Sequence, residues 1–399
     1  ATSLLERAFA LVPEGDALRV RIGVELAERL IDAGELTRAD ELLSALERDP
    51  KTTGLAVLCR FEWLIRVRPQ EAMNTTESTL PAILEQFISV GDQLGIAKAH
   101  MAAFWVHRQA GRWTAAGEQA RLAAEHAREA GDQGLRSRAL GFYIVSMMYG
   151  RQHADAIAGE LNAIEREQPG PYLAAYVERG HSELARLHGR FSNARRLTQR
   201  AMEAFQALGM PEMAALCELD LARTELTAQT PAAALAALLR GDAILARLGE
   251  RSLRSEIQAL LALAHAQLRH RDAARAAIGL AEELGTDEDA LTNAMTHRVR
   301  ASFALADGNR VDAERWSRSA VAHALLSDNV VVQARARLDL ARVLSALGQR
   351  ENATTEARAA RGLFIAKGDR PGDSQTHALL DELVVPATVI TGPRKQAFP

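Results

Sequence analysis

The sequence has few of the residues that build strands, disulfide frameworks or membrane spans. Only two of its 399 residues are cysteine, Cys59 and Cys217, far apart and in helical patterns. That spacing excludes a disulfide framework and a zinc knuckle, and it fits a reducing compartment, with the cytoplasm as the expected location. Aromatic residues make up 5% of the chain, and runs rich in Val, Ile, Thr and Tyr are nearly absent, which excludes a sheet-based fold. No run approaches the ~20 apolar residues of a membrane span, and no signal peptide opens the chain. A net charge of -3 gives no global attraction to nucleic acid or to an anionic membrane. Neither a basic tail nor a nucleic-acid recognition motif stands out.

Catalytic motifs are missing too. There is no P-loop, dinucleotide fingerprint, zinc-protease helix or Gly-x-Ser-x-Gly elbow. The histidine pairs His100/His107 and His181/His188 are seven apart, which separates them by two helical turns, roughly 10 Å; His265 and His270 are five apart. None is expected to hold a metal. Carboxylates intermix with arginine as on a solvated helix surface, and Asp287-Glu288-Asp289 is placed to favour a helix N-terminus. No catalytic residue, cofactor or metal is expected, and the chain reads as non-enzymatic.

What the sequence has in abundance is alanine, leucine, arginine and glutamate, which favour helices. It also has a period. The segments DAGELTRADE (32–41), QAGRWTAAGE (109–118), LHGRFSNARR (187–196), ADGNRVDAER (306–315) and ALGQRENATT (346–355) share glycine at the third position and alanine at the eighth. Gly111, Gly150 and Gly189 are spaced by 39, and Gly308 and Gly348 by 40, with Gly150 fitting after a one-residue slip to Ala156. Between Gly189 and Gly308 two further turns without glycine are expected near Gln229 and Arg269. A second mark falls between turns, at Gly91-Asp92, Gly131-Asp132, Gly209, Gly249, Gly285 and Gly368-Asp369.

Each period therefore reads as helix, tight glycine turn, helix and Gly-Asp linker. Glycine supplies positive φ at a helix C-terminus and aspartate caps the next helix. The alanine marks a close helix crossing. Units are expected over 1–50, 51–90, 91–130, 131–169, 170–208, 209–248, 249–284, 285–326 and 327–367. In 51–90 Pro69 stands where the turn glycine is missing, and Pro81 is expected at a helix start. A capping helix is expected over 372–383, begun by Asp373 or Ser374, followed by a mobile tail over 385–399. The chain opens at Ala1 with an uncovered apolar stripe (Leu4, Leu5, Ala8, Phe9), so it is expected to be cut from something longer, or processed.

The turn glycine, a bulky residue two positions on (Leu36, Trp113, Phe191) and the alanine five positions on resemble the tetratricopeptide repeat. Arg310 and Arg350 depart from the bulky slot, and the period exceeds the usual ~34 residues. Stretches such as RVRIGVELAERLIDAGELTRADELL (19–43) and FIAKGDRPGDS (364–374) resemble the C-terminal arrays of bacterial STAND-type ATPase and class III adenylate/guanylate cyclase-like regulators. The resemblance covers nearly the whole chain. It implies an all-α, right-handed superhelical α-solenoid, with ATPase or cyclase modules lying upstream of Ala1.

It also implies that the first helix of each unit lines the concave face, at positions 13, 10, 6 and 3 residues before each turn glycine. These are Lys98, Met101, Trp105 and Arg108; Tyr176, Arg179, Glu183 and Arg186; Met295, Arg298, Ser302 and Leu305; and Arg335, Leu338, Arg342 and Ser345. The turn at Gln229 adds Arg223. Arginine outnumbers acid here, so a basic, partly aromatic groove for an acidic peptide or protein partner is expected. The plainer reading is arginine snorkelling over apolar helices.

Two functions follow: a regulatory interaction scaffold, or a peptide or small-ligand sensor of a transcriptional or quorum-type regulator. Peptide-pheromone receptors on similar repeats resemble clamps that use concave asparagines. Here Asn74, Asn162, Asn193, Asn293, Asn309, Asn329 and Asn352 fall mostly near turns or linkers. That favours the scaffold.

Overall fold

The structure, a computed structural model, describes residues 2–48, 53–286 and 289–384. Twenty helices and no strand run through the described residues. After α1 (Thr2–Leu11) come nine helix pairs. They are α2 (Ala17–Asp32) with α3 (Leu36–Leu46), α4 (Thr53–Val67) with α5 (Pro69–Val90), and α6 (Gln93–Gln109) with α7 (Trp113–Glu129). Next are α8 (Gln133–Tyr149) with α9 (Ala154–Arg166), α10 (Pro171–Leu187) with α11 (Phe191–Ala207), and α12 (Pro211–Thr227) with α13 (Pro231–Leu248). The last are α14 (Ser252–Gln267) with α15 (Arg271–Leu284), α16 (Ala290–Ala306) with α17 (Arg310–Ala324), and α18 (Val330–Ala346) with α19 (Arg350–Lys367). A final helix, α20 (Arg370–Val384), packs on α19. No helix of the described residues is long and apolar enough to cross a membrane.

The pairs form because their sequence punctuation works as a chain reversal. Gly34, Gly111, Gly189, Gly308 and Gly348 all have φ between 69° and 81°. The two glycine-free turns adopt the same left-handed backbone, with φ 60° at Gln229 and 62° at Arg269. Asp92 and Asp132 accept the Gly95 and Leu135 amides and so cap α6 and α8. Asp289, Asn309 and Asn329 cap α16, α17 and α18 in the same way. Ala39, Ala116, Ala194, Ala313 and Ala353 are completely buried, as a close crossing requires. First helices of successive pairs pack on one another as an inner layer, and second helices form the outer one.

Three local expectations are corrected. Gly150 has φ -78° and an extended backbone. The α8–α9 turn is longer than the others, so Ala156 is exposed and Ile157 takes the buried slot. Pro81 lies inside α5 and not at a helix start. Leu80, Ile83, Leu84 and Phe87 pack that stretch of α5 against the core, and this burial outweighs the one hydrogen bond that proline removes. The closing helix begins at Arg370, before the expected Gly372. Asp369 accepts the Gly372 amide at 2.8 Å, proline fits in the first turn, and Phe364 lies 2.3 Å from where a Gly372 Cβ would stand. The tail over 385–399, and Asp287 with Glu288, lie outside the described residues.

One feature has no counterpart in the sequence pattern. The array winds far enough that each superhelical turn touches the next, five or six pairs later. Asp328 accepts the Trp113 and Thr114 amides at 2.7 and 2.8 Å, capping α7 from 215 and 214 residues away. Ser327 Oγ and the Asp328 amide both donate to the Gly111 carbonyl, at 2.8 and 3.1 Å. A Cβ at Gly111 would stand 2.8 Å from Ser327 Cβ, so glycine is needed there for approach as well as for φ. Lys367 Nζ donates to the Met147 and Gly150 carbonyls at the end of α8, at 2.9 and 2.7 Å. Further along, the Arg251 amide donates to the Arg66 carbonyl at 2.9 Å, and Leu248 fills the space that a side chain on Gly34 would need. Acid at a helix N-terminus and base at a C-terminus is the favourable sense for the helix dipole.

Gln229 and Arg269 hold a conformation that costs an L-residue roughly 1–2 kcal/mol, partly offset by glycine's greater entropy loss on folding. Gln229→Gly and Arg269→Gly are each expected to stabilise the protein by about 0.5–1 kcal/mol. The check is a higher urea midpoint with unchanged slope.

Candidate functional site

The residues expected on the concave face lie on first helices of the pairs, α6, α10, α12, α16 and α18. Their surroundings are charged. Lys98 pairs with Glu28 of α2. Arg179 Nε donates to Asp220 at 2.7 Å, and Asp220 also accepts the Tyr149 hydroxyl at 2.9 Å. Arg186 makes a two-pronged pair with Glu183, at 2.8 and 2.6 Å, and lies 3.6 Å from Asp369 across the seam. Arg223 pairs with Glu256 and stacks over the Tyr149 ring at 4.3 Å. Arg298 and Arg342 share Asp339, at 2.7 and 3.1 Å. Carboxylates stand opposite most of these cations, so the axial face carries matched charge.

Two cations differ. Arg108 lies 5.4 Å from the Trp105 ring and 5.8 Å from the Trp113 ring. Arg335 donates to Gln375 at 2.5 Å and stacks on Phe364. Burial, with Arg186 and Arg298 nearby, pulls the Arg335 guanidinium down to about 10. The apolar members are core. Trp105 packs edge-on against Phe104 and Phe142. Met101 is buried, and Tyr176 is fully buried with its hydroxyl donating to the Met213 sulfur at 2.9 Å. Trp113 is likewise buried, its ring 4.9 Å from Tyr149.

Sequence reasoning found Glu183 but missed the other acids and two further arginines. Arg66 donates to Glu212 at 3.0 Å across the seam, and Arg138 pairs with Glu62 and lies 3.6 Å from Asp32. The 51–90 unit has no turn glycine to set a register, which hid Glu62 and Arg66. A usable signal existed for the rest. Arg179–Asp220 and Arg298–Asp339 are both 41 residues apart, so an arginine ten before one turn meets an aspartate nine before the next.

The network is not fully satisfied. Arg179 is 1% exposed, yet both its Nη atoms lack a hydrogen-bond partner among the described residues. The same holds for Arg223 Nη1 and Arg335 Nη2. Buried donors of this kind carry a desolvation cost that their hydrogen bonds do not offset.

Elsewhere the surface is matched or inert. An open cleft of about 410 Å³ between α15, α16 and α17 lies over Phe303 and Trp316. Its arginines are committed, Arg271 to Asp307, Arg275 to Asp272 and Arg300 to Glu282. Cys59 and Cys217 are buried, and burial pushes the Cys217 thiol up to about 12, leaving it unreactive. Among the described residues no three His, Cys, Asp or Glu side chains converge on a metal-binding geometry.

This arrangement of helix pairs was compared with known proteins. A Rap protein complexed with Competence and Sporulation Factor superposes with a TM-score of 0.62 at 12% identity, covering 91% of this chain and all of that one. The APC/C hetero-tetramer Cut9-Hcn1 gives 0.51 at 11%, covering 96% of this chain and 88% of that one. The fold is a tetratricopeptide-like α-solenoid. A STAND protein with a tetratricopeptide repeat sensor, from Pyrococcus horikoshii, aligns over 88% of this chain and 54% of its own at 14% identity, with a TM-score of 0.38. No family model matches the chain, and no curated protein matches it in sequence.

Two measurements probe the buried charges. Asp220→Asn leaves Arg179 buried without its counter-charge and is expected to cost about 3–5 kcal/mol, whereas Arg179→Met with Asp220→Leu is expected to cost less than that single change. Chemical denaturation of both variants makes the comparison. Glu250 caps α14 through the Leu253 amide at 2.8 Å, and burial, with Glu212 nearby, raises its carboxyl to about 8. Folding then favours the protonated form, so this group's contribution falls as pH rises from about 4.5 to about 8, by up to about 1.4 kcal/mol per pH unit. Glu250→Gln is expected to be neutral near pH 4.5, to stabilise at pH 8, and to flatten stability between them.

Proposed function

We propose that the chain is a non-catalytic regulatory scaffold of a bacterial signalling protein that takes an acidic peptide or protein segment on its axial face. The observation carrying this reading is the composition of that face. A solenoid needs only apolar contacts between its inner helices, and replacing buried ion pairs by apolar residues is often neutral or stabilising. Here the inner helices instead carry arginines in register, with Arg108 lying over Trp105 and Trp113 and Arg335 held by Gln375 and Phe364. Cations held in rows suit acidic side chains. The expected site is Lys98, Met101, Trp105, Arg108, Tyr176, Arg179, Arg186, Arg223, Arg298, Arg335 and Arg342. Membership in a larger ATPase or cyclase-like regulator belongs to the same proposal, through the sequence resemblance.

The second reading is a peptide or small-ligand sensor. Its support is the Rap protein, solved with Competence and Sporulation Factor, whose whole length superposes on this chain. That likeness is one of fold, and Asn309 and Asn329 serve here as helix caps.

A thermal-shift screen against acidic, basic and neutral peptides and sugars tests both readings. A saturable stabilisation is expected with acidic peptides, about 2.7 kcal/mol at a hundredfold excess over Kd. It is expected to be lost in Arg108→Glu combined with Arg342→Glu. Stabilisation by sugars or neutral peptides that survives this pair of changes would favour the sensor and reject the acidic-partner reading.

A further inference from the structure

The contacts between superhelical turns differ in kind from those within a turn. Successive helices of one turn share a continuous core of alanine, leucine and aromatic side chains. The seam between turns is made of helix ends and polar groups. Asp328 caps α7, Lys367 caps the carbonyl end of α8, and Ser327 bonds the Gly111 carbonyl. Arg66 reaches Glu212, and Ser252 Oγ reaches Gln109 at 3.2 Å. Leu248 against Gly34, Pro371 beside Gly189, Ala154 beside Gly368 and Leu291 against the α2–α12 core are among its apolar points.

Two consequences follow from that difference. The seam is bridged largely by hydrogen bonds and helix ends, and a boundary with few buried apolar contacts opens at lower cost than one built on a shared apolar core. Opening also returns water to the axial network, where Arg179, Arg223 and Arg335 have guanidinium nitrogens without a hydrogen-bond partner among the described residues. The capped helix ends favour the closed form and the unsatisfied guanidinium groups favour the open one. Opposed terms at one boundary are the requirement for a bistable element.

We infer that the superhelix is a two-state clasp that opens and closes along this seam, latched by Asp328 on the N-terminus of α7 and Lys367 on the C-terminus of α8. Closed, it shields the axial face. Open, it exposes the arginine rows to a partner. The clasp rests on the axial-face reading for its consequence, and on the seam geometry alone for its existence. Bending spreads over the intervening repeats, each needing only a small rotation, as in other solenoids.

The test uses spin labels on Glu118→Cys in α7 and Leu325→Cys beside the Asp328 loop, both exposed positions on facing sides of the seam. The native cysteines are buried and do not compete for label. Pulsed electron-electron resonance on the ligand-free protein reads the distance across the seam. With the latches intact, a short distance is expected to dominate. Asp328→Asn, and Asp328→Asn with Lys367→Met, are expected to add a longer distance, the open-to-closed ratio rising at least about tenfold in the double variant. Far-UV circular dichroism confirms that the helices persist. If the double variant loses its helices, the single Asp328→Asn decides. A helical variant that keeps only the short distance overturns the clasp. Because no ligand is added, that result leaves the axial binding reading standing, and an empty peptide screen leaves the clasp standing.

Discussion

The architecture depends on one steric constraint, the close crossing of two helices over an alanine. Eight of these crossings have a methyl group, fully buried, on the fourth residue of the second helix: Ala39, Ala72, Ala116, Ala194, Ala234, Ala274, Ala313 and Ala353. A larger side chain there would push the helices of a pair apart and change the angle at which the next pair stacks. Because the same small residue recurs at nearly the same interval, nearly the same rotation recurs. A constant rotation is what makes a superhelix, and it brings Trp113 to Asp328 after 215 residues. The unit that lacks the alanine shows the rule from the other side. Ile157 fills the slot, and the turn before it is lengthened and has no left-handed glycine.

Closing the superhelix on itself brings the inner layer into a space narrow enough to bury charge. Ion pairs such as Arg179–Asp220 then sit where desolvation and attraction nearly cancel. They add little net stability, but they fix which helix faces which, because a mismatched arginine would be buried alone. The repeat of arginine and aspartate at 41 residues sets register between inner helices while the alanines set distance between the members of a pair. The two devices act on different layers, so a change in one alters pairing without altering spacing.

Much of this was legible because it is local and periodic. A glycine that must take positive φ and an alanine that must be small leave marks at fixed intervals, strong enough to place the turns at Gln229 and Arg269 where no glycine stands. The helical class and the solenoid followed from those marks. Pro81 misled because proline's cost is local while the packing that overrides it comes from Phe87 and its neighbours. Gly150 misled because a glycine kept for close approach looks the same in sequence as one kept for φ. The axial cations and Glu183 were found from the register, but acidic partners such as Glu28, Asp220, Glu256 and Asp339 lie at positions that the register did not include. Nothing in the sequence marked the seam, since Asp328 and Lys367 cap helices more than two hundred residues away.

The segment Gly111-Arg112-Trp113 shows how such roles superpose. Its glycine reverses the chain, and its tryptophan fills the bulky slot that closes the helix pair. Its backbone also receives the following superhelical turn, through the Gly111 carbonyl and the Trp113 amide. Arg108, one turn earlier on α6, lies over both Trp105 and Trp113, so a single guanidinium borders the axial face and the seam together. A group binding at Arg108 would therefore act on both surfaces. If the axial face takes a partner and the clasp closes as proposed, that shared boundary is the physical route by which the two become linked, and linkage of this kind works equally in both directions.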